Sequence, residues 1–330
     1  MHVSPAVQKP TILIALGGNA LIRKGEEGSI ADQLENLRTP VRQIARLSKR
    51  YRIVVTHGNG PQVGHLLLQQ ECCSTLPRLP LEILVAQTQG QIGYMIESTL
   101  DNELMELGLD AEQLFVSVLS YVVVDENDPA FSNPTKPIGP GFSESEALAL
   151  PYPTIWTPKG YRRVVASPRP LTIVEKREIR TLIQMGFLVI ACGGGGIPVV
   201  RERRAFHGVD AVIDKDLASA VLAREVEAEM LLIATDVPGV ALSYGRPGQR
   251  FLDRLPPPEA ALYLRQGEFP EGSMKPKVEA ACDFVERTGK VAVICHIGDI
   301  EKAVSHEAGT IVTPDQPRTA RLEEKQFPKG

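Results

Sequence analysis

TILIALGGN, residues 11–19, decides the fold: an aliphatic and β-branched run stops at two glycines and an asparagine. The run does not alternate between apolar and polar residues, which is how a strand covered on both faces reads. Glycine at its carboxyl end lies where open parallel sheets receive ligands, because main-chain amides can approach an anion there without an intervening Cβ. The arrangement recurs. RIVVT at 52–56 runs into His57-Gly58-Asn59-Gly60, and FLVIA at 187–191 runs through Cys192 into Gly193 to Gly196. One such turn needs glycine whatever its function; three at equivalent strand ends point to a bound anion, most simply a phosphate. Pro61 suits the first helical position, so Gly58-Asn59-Gly60 should end at a helix amino terminus. Pro198 and Val199-Val200 instead carry the glycine run 193–196 into a strand, making any anion site there a backbone nest.

Working outward, further buried strands are read at 114–124 (LFVSVLSYVVV), 230–235 (MLLIAT) and 290–295 (KVAVIC). Helical patterns fall at 32–49, 61–73, 81–107, 173–185, 215–226, 257–267, 274–288 and 299–306, with Pro40 expected to kink or restart the first. This alternation predicts an α/β sheet with helices on both faces. Residues 125–141 (DENDPAFSNPTKPIGPG) carry four prolines and no apolar period, so no regular element is expected there. Together with the proline-rich 151–170 they read as a lid or insertion. Phe131, Phe142, Tyr152, Trp156 and Tyr161 favour an ordered lid over a linker. The tail from Pro314 is expected to be mobile beyond a strand ending near Val312.

At 330 residues, the chain should form two domains or one α/β unit with two lobes. Its 43% apolar and 23% charged residues exclude wholesale disorder, collagen-like and coiled-coil classes. A net charge of −4 offers no global attraction for nucleic acid or an anionic membrane, so neither partner is expected. No membrane span and no secretory leader are expected. Five cysteines (Cys72, Cys73, Cys192, Cys282, Cys295) without C-x-x-C spacing argue against disulfides and structural zinc, and for a cytoplasmic location.

An anion must therefore be met by local charge. Phosphoryl transfer asks mainly for positioning and for cancellation of charge on the moving group, hence for fixed lysines. Lys136 in the lid, Lys215 between Asp214 and Asp216, and Lys277 after Gly272-Ser273-Met274 each lie in or beside a loop. Asp214 or Asp216 has two readings: a helix N-cap, or a carboxylate that holds Lys215 or Lys277 in place. The helix after Ser273 offers its dipole to a phosphate. No Walker A loop, H-E-x-x-H or G-x-S-x-G occurs, and GNGPQVG at 58–64 lacks the following acidic strand end of a dinucleotide fold. Cys192 is either a thiolate in a nest or a buried filler. Arg162-Arg163 either steer an anion or form a solvated pair.

In these motifs the sequence resembles the carbamate kinases of the amino acid kinase superfamily, over about 11–314. The likeness is carried by ALGGNAL (15–21), VTHGNGPQVG (55–64), QGQIGYMI (89–96), DPAFSNPTKPIGP (128–140), GYRRVVASP (160–168), GGGGIPV (193–199), VIDKDLA (212–218), TDV (235–237) and GSM-x-PK (272–277). The resemblance implies a three-layer α/β/α open sandwich with about eight mainly parallel strands, a protruding lid subdomain at about 125–170, and a homodimer. Lobe 1–226 would take the acceptor and 227–330 the nucleotide. The implied reaction is reversible phosphoryl transfer between ATP and carbamate, giving ADP and carbamoyl phosphate, with Mg2+ held by the nucleotide phosphates rather than by protein side chains. Gly17, Gly18, Asn19, Gly58, Asn59, Gly193 and Gly194 would shape the acceptor end, Lys136 would reach in from the lid, and Lys215 and Lys277, oriented by Asp216, would flank the phosphoryl group. Asp236, Tyr244 and Met274 would lie by the nucleotide. Three departures stand out: Lys275 replaces a usual glycine, adding a cation near the phosphates; Pro40 enters a helix normally free of proline; and Cys192 replaces a common serine. Two rival readings are another acid kinase of this fold and a non-catalytic carbamoyl phosphate sensor.

Overall fold

In the computed structural model, residues 9–314 are described except 24, 73, 74, 158 and 159. The tail beyond 314 therefore lies outside the described residues. The apolar runs form one sheet in the order Thr310–Val312, Val291–His296, Met230–Thr235, Thr11–Leu16, Arg52–His57, Leu188–Ile190, Phe115–Ser117. Its seven strands are parallel apart from Thr310–Val312. Thr11–Leu16 explains the missing alternation. Leu13 and Ala15 face one core, with helices Lys215–Glu225 and Met274–Thr288. Ile12, Ile14 and Leu16 face the other, with helices Ile30–Leu47 and Leu81–Glu106. Both faces are buried, each fully buried Leu or Ile contributing roughly 1.5–3 kcal/mol. The result is a three-layer α/β/α sandwich.

Register brings the ligand-facing ends into line. Leu16 pairs with His57 on one side and Ala234 on the other, and Val55 pairs with Ile190. All the glycine turns thus open at the same, carboxyl end of the parallel strands.

Three local expectations need correction. The strand read over 114–124 breaks after Ser117: Ser120 N–H donates to Gln89 Oε1 (3.0 Å) while Gln89 Nε2 donates to Ser120 O (3.2 Å). That side-chain amide takes the place of a neighbouring strand, and Tyr121–Val124 enters a second sheet with Ile197–Glu202, Ala205–Gly208 and Pro170–Ile173. The proline-rich segment does contain a regular element. Lys136–Phe142 is the edge strand of a three-stranded lid sheet with Gly160–Val165 and Thr154–Thr157. At an edge, Pro137 and Pro140 need not donate to a neighbour on both sides, and the pairing slips between Ile138 and Phe142. Finally, Pro40 is buried within a continuous helix, Ile30–Leu47, rather than dividing it.

Candidate active site

Asn59 stands at the N-cap of helix Gly60–Glu71, yet its side chain makes no cap hydrogen bond. Instead Nδ2 donates to Thr88 Oγ1 (2.8 Å), which donates to Val85 O (2.7 Å). Leu81–Glu106 thereby fixes the loop from below and leaves the first-turn amides of Gly60–Glu71 open. Gly194, at φ +65°, passes so close that a methyl there would fall 2.1 Å from Asn59 Nδ2. Gly17 N–H donates to Ala234 O and Gly58 N–H to Leu16 O, both at 3.1 Å, so these loops are laced to the strand ends. Gly18 opens the turn Gly18–Ala20 that also contains Asn19, whose side chain lies outside the described residues. Gly193 packs on His57. Burial, reinforced by the nearby Lys215, lowers the His57 pKa to about 4, so the ring is neutral; its Nδ1 lies 3.2 Å from Gly58 O.

The charged groups converge from three segments. Asp214 caps helix Lys215–Glu225: Oδ1 accepts from the N–H of Asp216 (2.9 Å) and Leu217 (3.4 Å). Its Oδ2 accepts from Lys136 Nζ of the lid strand (2.8 Å). Asp216 is 2% exposed; Oδ2 accepts from Lys277 Nζ (2.8 Å) and Oδ1 from Lys215 Nζ. Lys215 Nζ also approaches Ala15 O (3.5 Å), and its Cγ lies 3.8 Å from where a Cβ on Gly58 would stand. The cations and the glycine turns are therefore one site.

Burial alone would raise the pKa of Asp216, but Lys215 and Lys277 outweigh it and hold the carboxyl well below the usual range. Burial lowers that of Lys215, with Lys277 adding to the effect. For Lys277 burial opposes the charge, yet Asp216 and Asp214 prevail and the pKa rises. Three ammonium groups meet two carboxylates beside open amides, a set of donors that suits a polyanion.

Lys277 sits in the first turn of Met274–Thr288, whose N-cap Ser273 makes no side-chain cap bond. Met274, the first residue of that helix, packs against the core under Lys215–Glu225. Asp236 is exposed directly after Met230–Thr235, accepts from Thr235 Oγ1 (3.2 Å) and helps to raise the Lys277 pKa. Tyr244 stands 52% exposed between the short strands Ala241–Leu242 and Arg250–Phe251, with no hydrogen bond or ion pair to the lysines among the described residues.

Several sequence readings resolve here. Lys275 Nζ pairs with Glu271 Oε1 (2.6 Å), a solvent-exposed carboxylate one turn earlier. Cys192 is a filler: it is fully buried, and burial pushes its thiol far up, against any thiolate. The arginine pair is neither free nor merely solvated. Arg162 Nε donates to Gly139 O (2.8 Å), while Arg163 pairs with Glu71 (2.7 Å) and lies 4.2 Å from the Tyr152 ring centre. Sequence reasoning missed Thr88, visible only as a helix position, the role of Gln89, present only as the first residue of the 89–96 motif, and the tie from Asp214 to Lys136, 78 residues apart. The cap propensity of Asp214 was the one signal available.

Residues 10–296 match the Amino acid kinase family, and the chain belongs to that family. The carbamate kinase of Pyrococcus horikoshii is 45% identical over 312 residues, 92% of this chain and 99% of the relative. That of Rhizobium meliloti is 46% identical over 309 residues, 92% and 93% of the two chains. Among solved structures, carbamate kinase from Giardia lamblia bound to citric acid superposes with a TM-score of 0.87 at 39% identity, and the same enzyme bound to AMP-PNP with 0.83 at 40%; each covers 93% of this chain and 99% of the other. Within the family, the chain's place is among the carbamate kinases, which are phosphotransferases.

Proposed function

We propose that the chain transfers a phosphoryl group between ATP and carbamate, reversibly, giving ADP and carbamoyl phosphate. The observation that carries this reading is the sharing of Asp216 by Lys215 and Lys277 at the glycine-lined strand ends, with Lys136 delivered from the lid one cap residue away. Carbamate oxygen is already anionic, so attack needs alignment and charge cancellation and no base. His57, neutral and buried, fits a site that takes no proton. In this reading Gly17, Gly18, Asn19, Gly58, Asn59, Gly193 and Gly194 shape the acceptor end within 1–226, whose lid spans about 125–170, and Lys136 closes over it. Lys215 and Lys277 flank the phosphoryl group. The nucleotide lies on 227–330, by Asp236, Tyr244 and Met274; a nucleotide analogue bound to the Giardia lamblia relative supports nucleotide binding by this fold.

Mg2+, held by the nucleotide phosphates, would supply screening of their charge. Both oxygens of Asp214 and of Asp216 already accept hydrogen bonds, so neither is a ready metal ligand. We further assign a homodimer acting in the cytoplasm. No helix among the described residues is long and apolar enough to cross a membrane.

A substrate panel tests the acceptor. With ATP and coupled detection of ADP, carbamate should give turnover and acylated amino acids none. The reverse pattern identifies another acid kinase, and carbamoyl phosphate binding without exchange into ATP identifies a sensor.

A further inference from the structure

We propose that Asp214 is a positioning residue that holds the lid lysine Lys136 over the acceptor loops, coupling the lid to the amino terminus of the helix that carries Lys215 and Asp216. The inference rests on the reading of the site as a carbamate kinase centre and deepens it.

The division of labour within one carboxylate carries the argument. Oδ1 faces the helix and takes the amides of Asp216 and Leu217; Oδ2 faces the lid and takes Lys136 Nζ at 2.8 Å. The pair is largely shielded, with side chains 20% and 16% exposed, where a charge-assisted hydrogen bond is worth more than at the surface. A cap alone uses one oxygen, and serine would serve. The second oxygen gives Asp214 a task that no cap requires.

The lid's other ties leave Lys136 to this carboxylate. On one flank the lid is pinned to helix Gly60–Glu71: Arg163 pairs with Glu71, Tyr152 Oη donates to Glu71 Oε2 (3.4 Å), and Gly139 lies against Gly64. At its base, Ala166 O accepts from Val212 N (3.0 Å), two residues before Asp214. These contacts fix the hairpin's body and root. At the start of Lys136–Phe142, Lys136–Asp214 is the one ion pair of the lysine's side chain among the described residues, and it sets where the ammonium stands. A lysine is a flexible point charge and contributes to a site only when something holds it.

Asp214→Asn separates the two tasks, because asparagine caps a helix as well as aspartate but presents no anion to Lys136. In the full-length chain, Asp214→Asn should raise the KM for carbamoyl phosphate about tenfold or more, the scale of one hydrogen bond to a charged group, with the KM for ADP held within about twofold. The double variant with Lys136→Ala should be no worse than Lys136→Ala alone. Losses that add, or equal rises for both substrates, would overturn the proposal. A ligand-free readout stands apart from activity: amide hydrogen exchange in 136–142 should quicken in Asp214→Asn and equally in Lys136→Ala, which leaves the cap untouched. Unchanged lid exchange in Lys136→Ala would also overturn it. If the unaltered chain forms no ATP from carbamoyl phosphate and ADP, the functional reading fails, while exchange still decides the tie between Lys136 and Asp214.

Discussion

His57 shows how a single buried side chain makes stability depend on pH. Its pKa falls from 6.5 to about 4 on folding, chiefly through burial. Between those values the unfolded chain binds the proton and the folded chain does not, so acidification favours unfolding. The neutral ring's contribution is fully present above 6.5 and is lost as the pH falls toward 4, in total roughly 3 kcal/mol. Asp214 and Asp216, with lowered pKa values, act in a separate window, losing their contribution as the pH drops below the ordinary carboxylate range. Thermal melts of His57→Gln from pH 7 to 4.5 should therefore show a flatter decline in Tm than the unaltered chain. Parallel declines would show that His57 does not carry the effect. Little of this was legible in the sequence. Lysines beside aspartates and glycines announce phosphate chemistry by their type, but the burial of His57 and the reach of Lys136 to Asp214 are set by segments that meet only in the folded chain.

Among elements, the lid's seat on helix Gly60–Glu71 is the most exposed to a small change. A methyl on Gly64 would stand 2.0 Å from the Gly139 Cα, and Gly139 itself holds φ +71°. Backbone on both sides leaves no side chain to swing away. Gly64→Ala should displace Lys136–Phe142 and raise the KM for carbamoyl phosphate at least about tenfold while melting within a few degrees of the unaltered chain, because the sheet core is untouched. Unchanged kinetics would mean the lid does not need this seat. Central elements were legible because their apolar runs are unbroken and end at polar or glycine residues: Thr11–Leu16 and Met230–Thr235 fall where the sequence puts them. Lys136–Phe142 was not. Its prolines normally exclude a strand, and only its edge position, a property of the lid sheet as a whole, makes them tolerable.

For the whole molecule, a single sheet joins the parts read as acceptor and nucleotide lobes, since Met230–Thr235 pairs directly with Thr11–Leu16. The strand ends that carry glycine and the helices that carry Lys215 and Lys277 are thus fixed to one frame, which suits chemistry that depends on alignment. The most direct measurement of this account is the rate of ATP formation from carbamoyl phosphate and MgADP by the unaltered chain and by Lys215→Ala and Lys277→Ala. The unaltered chain should form ATP in step with carbamoyl phosphate consumed, and each variant should lose at least about a hundredfold in kcat, the scale for removing a preorganised charge from the transition state. No ATP from the unaltered chain, or undiminished turnover in either variant, would contradict it.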